Sequence, residues 1–271
     1  LRTGQVRLVR SIESGVFAAM KRVIHLPNDH KVSLHPLSLY ELAVSDEVSV
    51  LAPSQHAHSI HREVCIMKLA ANHPHLLQLY DIYETAEHYY ILTEYTELGE
   101  LFQYVQQNLL LPQYVHRYFC QLISAVAHLA RFRICHRDIK LENIMMWRDE
   151  DSEVSIKLID FGMATYQPEG ELLTMSCGSP HYAAPEIMEG FAYDGIKSDT
   201  WSCGVVLYAM IARKLPFDDD DIPTLMNKVR IGHYEMPLSV QEEARDLISL
   251  CLVKDPSERI TLPELLAHPF I

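Results

Sequence analysis

An α+β protein is what the order of hydrophobic patterns predicts, with short alternating runs crowding the first third of the chain and helical stripes filling the rest. The strand signal starts at Gly4-Gln5-Val6-Arg7-Leu8-Val9-Arg10, and Phe17 to Ile24 forms a second strand after a Ser14-Gly15 turn. The helix signal is clearest behind Pro112, where Val115, Phe119, Leu122, Val126 and Leu129 repeat at 4-3-4-3 spacing. At 271 residues, with 48% hydrophobic and 22% charged side chains, the chain can bury a sizeable core.

The remaining elements follow in order. Residues 27 to 59 carry Pro, His, Ser and Asn in no lasting period and read as a surface loop, with a short helix inside 37 to 50. From Ile60 the apolar positions 60, 64 and 67 trace a helical face behind Ser59 as N-cap, and His73-Pro74 ends that helix. Leu76 to Tyr83 and Tyr89 to Glu94 read as two more strands. Ile144 to Trp147 and Ile156 to Ile159 make a hairpin with an acidic, solvated tip at 148 to 153. Ser239-Val240-Gln241-Glu242 and Thr261-Leu262-Pro263-Glu264 read as capping boxes that open the last two helices. The acid run Asp218 to Asp221 reads as a solvated loop rather than a docking site for basic peptides.

Charge and cysteine usage narrow the partners. A net charge of −13 argues against nucleic acid or anionic lipid as the main partner and suits a basic peptide better. The 6 cysteines are scattered with no C-x-x-C pair, so neither a zinc site nor a disulfide framework is indicated. Reduced thiols fit a cytoplasmic compartment, extending to the nucleus. The most apolar run, Cys203 to Ala212, is half of the roughly 20 residues a membrane-spanning helix needs, so no span is expected.

The chemistry concentrates in His136-Arg137-Asp138-Ile139-Lys140-Leu141-Glu142-Asn143, followed by Asp160-Phe161-Gly162 and Ala184-Pro185-Glu186. Two carboxylates and an amide at this spacing suit phosphoryl transfer. One Asp takes the proton of an attacking hydroxyl, while the Asn and the second Asp hold a divalent metal over a polyphosphate. A lone H-R-D would carry little weight; the whole string, with D-F-G and A-P-E at fitting intervals, is specific. On these residues the chain resembles the eukaryotic protein kinases. The segment Ser176-Cys177-Gly178-Ser179-Pro180-His181-Tyr182 is similar to the calcium/calmodulin-dependent group, especially relatives of the AMP-activated kinase and fungal cell-cycle kinases.

That resemblance implies a bilobal fold. Residues 1–95 would form a small N-lobe with an insertion at about 27–59, 96–99 the hinge, and 100–271 a helical C-lobe. It implies transfer of the ATP γ-phosphate to Ser or Thr of protein substrates with a basic residue N-terminal to the site, in signalling or cell-cycle control, with Mg²⁺. Asp138 would be the base, Lys140 the stabiliser of the transferring group, and Asn143 and Asp160 the metal ligands. Lys21 would grip the α and β phosphates and pair with Glu63; a lone strand lysine would be only a solvated charge. Val6 and Ala19 would roof the adenine, Met145 would floor it, and backbone groups of Glu94 and Thr96 would bond it. Thr93 would guard the back of the pocket, small enough to admit bulky inhibitors. Glu100 would contact the ribose or a substrate arginine, in the latter case forming one arginine pocket with Glu142, and Ala209 stands where some basophilic relatives carry a further carboxylate. Asp199 would cap the catalytic-loop backbone, and Glu186 would pair with Arg259.

Two departures accompany the resemblance. Gly4 matches the last glycine of the phosphate-covering loop, but the middle glycine would fall on Leu1. Either the chain is an excised catalytic domain whose first strand lies upstream, or the loop is degenerate and its grip on phosphate weakened. In the related kinases a threonine phosphorylated by an upstream kinase directly precedes Ser-Cys-Gly, whereas here that position is Met175. Thr174 or Ser176 would then serve as the switch, or none would, and Arg137 is retained as a phosphate partner. Ser179 would bond Asp138 and Lys140 and shape the substrate groove. These departures motivate the alternative of a pseudokinase scaffold that binds partners without chemistry.

Overall fold

The alternating runs of the first third pair into one antiparallel sheet. In the computed structural model, which describes residues 5–10, 16–24, 55–84, 88–149, 151–237 and 240–271, these strands are β1 (Gln5–Arg10) and β2 (Phe17–Ile24). Helix α1 (Gln55–Leu69) then precedes β3 (Leu79–Glu84) and β4 (His88–Glu94). The sheet order is β1-β2-β4-β3, so β2 and β4 are central. Strict alternation along β4 buries Tyr89, Ile91 and Thr93 on one face, and Tyr89 and Ile91 pack there with Ile60 and Val64 of α1. A helix is thereby fixed under the sheet that carries Lys21.

Several boundaries differ from the sequence reading. Helix α1 begins at Gln55, so Ser59 lies within the helix rather than capping it. The helix also ends at Leu69, before His73-Pro74. The loop expected over 27–59 falls mostly outside the described residues, and its positions 55–59 belong to α1. Gly4 and the Ser14-Gly15 turn also lie outside them.

The remainder is mainly helical: α2 (Leu101–Gln107), α3 (Pro112–Arg131), α4 (Pro185–Met188), α5 (Gly195–Ala212), α6 (Ile222–Ile231), α7 (Glu242–Cys251) and α8 (Leu262–Leu266). Interleaved are the short pairs β5 (Ile134–Cys135) with β8 (Thr165–Tyr166), and β6 (Ile144–Arg148) with β7 (Val154–Leu158). All five stripe residues of α3 are buried, with Tyr118, Ile123 and Ala125 beside them. Helix α5 is buried on nearly every side from Ser198 to Met210, which marks it as the axis of the helical part.

Helix ends are fastened by acceptors. Asp194 caps α5 through the Ile196 and Lys197 N–H groups, and Asp221 caps α6 through Thr224 N. Part of the acid run is therefore structural, since Asp219 also pairs with Lys228 at 2.9 Å. Thr261 and Glu264 form the expected capping box at α8. At α7 the N-cap is Gln241 and makes no side-chain cap bond, while Ser239 lies outside the described residues. The hairpin tip is not merely solvated: Arg117 of α3 reaches Asp149 at 3.3 Å and Glu153 at 3.0 Å.

Candidate active site

The loop after β5 is held from below before it presents any side chain. Asp199, buried in α5, accepts the His136 N–H at 2.7 Å and the Arg137 N–H at 2.8 Å. Burial pushes its carboxyl up to about 7, against the opposing pull of those two donors. His136 packs on Phe161, with ring centroids 5.4 Å apart, and its Nε2 bonds the Ile159 carbonyl at 3.0 Å. A carbonyl only accepts, so Nε2 carries the proton and Nδ1 is left to accept Asp138 N–H at 3.3 Å. Burial lowers the His136 pKa, which keeps this neutral tautomer in place.

Asp138 then stands among three side chains. Its Oδ2 receives Lys140 Nζ at 2.8 Å and Asn143 Nδ2 at 2.9 Å, while Oδ1 receives Ser179 Oγ at 2.9 Å and Ser179 N at 3.0 Å. Burial raises the carboxyl pKa, but the hydrogen bonds and the Lys140 charge outweigh it and hold the group below its ordinary value. Lys140 Nζ also donates to Ser179 Oγ at 2.8 Å. The expected contacts of Ser179 with Asp138 and Lys140 are thus both formed.

The candidate metal ligands are Asn143, in the turn after the base, and Asp160, in the turn after β7. Asn143 Nδ2 donates to the Asp138 carbonyl at 2.8 Å, which fixes the amide orientation and turns Oδ1 away as a free acceptor. Asp160 sits at φ 62° in the left-handed region, its Oδ1 accepting Gly162 N at 3.2 Å. An amide oxygen and a carboxylate suit Mg²⁺, which takes one or two protein oxygens and completes its shell with water and phosphate oxygens. Phe161 is buried beneath them.

The upper wall is assembled as well. Lys21 Nζ lies 2.6 Å from Glu63 Oε1, joining β2 to α1. Ala19 pairs with Thr93 across β2 and β4, and Thr93 Oγ1 donates to the Glu94 carbonyl at 3.2 Å. The Glu94 N–H is already given to the Gln78 carbonyl at 3.0 Å, so it is not free for the expected adenine contact. Thr96 is buried, Val6 is exposed on β1, and Glu100 pairs with Met145 in a backbone bridge just before α2. Glu142 keeps a buried Oε2 with no hydrogen-bond partner, beside Tyr182.

On the regulatory side Thr174, Met175 and Ser176 are exposed, while Arg137 is buried and donates from Nε to the Met163 carbonyl at 2.8 Å. Three contributors escaped the sequence reading. Lys157 fastens the end of β4: its Nζ lies 3.0 Å from Glu94 Oε1, donates to Pro74 O at 2.8 Å and sits 4.2 Å from the Trp147 ring centroid. Gly178 adopts φ +101°, and a Cβ there would lie 2.5 Å from the Arg137 carbonyl. Tyr193 approaches both Arg137 and the Met175 carbonyl. A lysine inside a strand, a glycine inside a loop and a tyrosine between helices carry no local spacing that would single them out.

A Lys–Glu pair joining β2 to α1, and a carboxylate bonded at once to a lysine, an amide and a serine, define a class. The chain belongs to the protein kinase domain family, which matches residues 2–271. It is 41% identical over 286 residues to the "Probable serine/threonine-protein kinase HSL1" of Saccharomyces cerevisiae, covering 99% of this chain and 18% of that protein. It is also 41% identical over 274 residues to the "Serine/threonine-protein kinase GIN4" of the same yeast, covering 99% of this chain and 23% of that one. The "Mitosis inducer protein kinase cdr1" of Schizosaccharomyces pombe is 44% identical over 214 residues, 79% of this chain and 35% of that protein. The chain therefore spans about a fifth to a third of the length of these curated relatives. The family in general uses ATP and Mg²⁺.

Proposed function

We propose that this chain is a serine/threonine protein kinase that moves the γ-phosphate of ATP to a Ser or Thr hydroxyl of protein substrates. The observation that carries the reading is the Asp138 carboxylate, hydrogen-bonded at once to Lys140, Asn143 and Ser179. Asp138, held ionised below its ordinary pKa, accepts the hydrogen bond of the incoming hydroxyl and takes its proton. Lys140, on the same carboxylate, would stabilise the charge that the transferred group gains. Asn143 Oδ1 and Asp160 would hold Mg²⁺, which when bound neutralises charge across the phosphate oxygens. Lys21, fixed by Glu63, orients the remaining phosphates, and the Thr93–Thr96 backbone orients the adenine. Ser179 ties the substrate-side loop to the base.

Substrates with a basic residue N-terminal to the phosphorylated hydroxyl fit the Glu100 and Glu142 carboxylates, and the net charge of −13 favours such peptides. We assign residues 1–95 to the N-lobe, 96–99 to the hinge and 100–271 to the C-lobe. The six unpaired thiols suit the reducing cytoplasm and nucleus. The name of the Schizosaccharomyces pombe relative, a mitosis inducer protein kinase, supports a role in cell-cycle control.

The test is phosphate incorporation from ATP and Mg²⁺ into a Ser peptide carrying an upstream arginine, beside the Asp138→Asn protein. Loss of the base should lower turnover by about 10²–10⁴-fold. Equal incorporation by both proteins, or none by either, would overturn the reading in favour of a scaffold without chemistry.

A further inference from the structure

We propose that the Tyr193 hydroxyl is a positioning group that orders the 173–179 segment with no phosphate on it. This rests on the kinase reading for its catalytic readout alone. The segment crosses the substrate side of the site between two anchors. At its start Leu173 and Tyr193 exchange backbone N–H···O bonds of 2.8 Å each. At its end Ser179 is bonded to Asp138 and Lys140. Between the anchors the Tyr193 hydroxyl donates to the Met175 carbonyl at 3.0 Å and faces Arg137 Nη1 at 3.5 Å. The phenol thus bridges the arginine beside the catalytic base to the backbone of the loop.

Each partner is already committed. Arg137 is buried, with its Nε on the Met163 carbonyl at 2.8 Å. The Tyr193 ring is buried with Leu173, Ala183 and Ile187, so its hydroxyl is fixed in place. Desolvation by burial raises the phenol pKa to about 12, so the group remains a donor at neutral pH. Position 175 supplies only a backbone carbonyl to this bridge. Its thioether side chain is 63% exposed and has no hydroxyl to carry a phosphoryl group. A neutral, unmodified contact therefore occupies the junction between the arginine and the loop.

The experiment uses the protein treated with phosphatase, with the absence of phosphate at Thr174 and Ser176 verified by mass spectrometry. Peptide phosphorylation should stay within twofold of the untreated protein, and the two hydrogen-bonded amides that bound the segment, Leu173 and Ser179, should exchange slowly with deuterium. In Tyr193→Phe, which keeps the ring and loses the hydroxyl, those amides should exchange about tenfold faster. The peptide KM should rise in that variant while the ATP KM holds, a split that a general loss of folding would not give. Two results would overturn the proposal: a tenfold or greater fall in activity on dephosphorylation, or dephosphorylated wild-type amides already as fast as those of Tyr193→Phe. A wild type with slow amides and no turnover would refute the kinase reading and leave the loop assignment standing.

Discussion

Lys140 and Gly178 show how single side chains set the chemistry. Lys140 Nζ is 2.8 Å from both Asp138 Oδ2 and Ser179 Oγ, so it serves the base and the substrate-side loop together. Lys140→Met should lower kcat by about 10²-fold, as for loss of one electrostatic donor, with little change in ATP KM. The same variant removes a cause of the low Asp138 pKa. With less opposing burial, the carboxyl rises, and the acidic limb of the kcat/KM profile should move to higher pH; an unmoved limb would disconnect Lys140 from the base. Gly178→Ala acts through geometry. The alanine would meet φ +101° and a carbonyl 2.5 Å from its Cβ, so strain of about 1–3 kcal/mol falls on the backbone that carries Ser179. At least a tenfold loss of turnover is expected by steady-state assay, with the melting temperature lowered by only a few degrees.

Among the elements, the tie between α4 and the segment before α8 is a buried, two-bond fastening outside the site. Arg259, with a fully buried side chain, bonds Glu186 through two contacts of 2.7 and 2.9 Å and lies over the Trp201 ring. Arg259→Leu strands the Glu186 carboxylate and should cost about 3–5 kcal/mol in denaturant unfolding. Thr261→Ala at the exposed α8 cap should cost only about 1 kcal/mol, and equal losses would contradict the burial argument. The contrast also marks what could be read beforehand. The Asp138–Asn143 string, Asp160 and the α3 stripe were legible because chemistry or helical periodicity demands fixed residue types at short spacing. The Glu186–Arg259 and Asp199 contacts were legible only through resemblance, since they join residues more than sixty positions apart. The start of α1 was not, because its first turn, Gln55-His56-Ala57-His58, shows no apolar period. Lys157 was missed since a strand lysine is normally solvated, and only the fold places Glu94, Pro74 and Trp147 around it.

Across the whole molecule, histidines taken wholly or partly out of water couple stability to pH. His73, His75 and His128 meet where the residues before β3 cross α3: the His73 ring lies 4.8 Å from His128 and 5.6 Å from His75, with Nε2 on Ser124 Oγ at 3.0 Å. Burial lowers all three, His73 from 6.5 to about 4, helped by Lys157 nearby; Lys157 and Arg117 also depress His75, and Arg131 depresses His128. His136, buried in the site, is lowered by the same desolvation, opposed by Asp138 and Asp160. Below pH 6.5 the unfolded chain therefore binds protons at these four positions that the native protein refuses, so their contribution to stability is lost as pH falls from 6.5 towards 4. Asp199 works the other way: its native carboxyl, raised from 3.8 to about 7, takes a proton that the unfolded chain does not bind until lower pH. Carboxyls held low, such as Asp138, lose their contribution only below 3.8, outside this window. Among the described residues, four lowered histidines against one raised carboxyl make the net slope that of acid destabilisation. Urea midpoints measured from pH 7.5 to 4.5 should fall steadily below 6.5, and His73→Gln should flatten the curve by up to one proton. A midpoint that rises between pH 6.5 and 5 would mean that Asp199 outweighs the histidine seam, and that the rings accept protons where they stand.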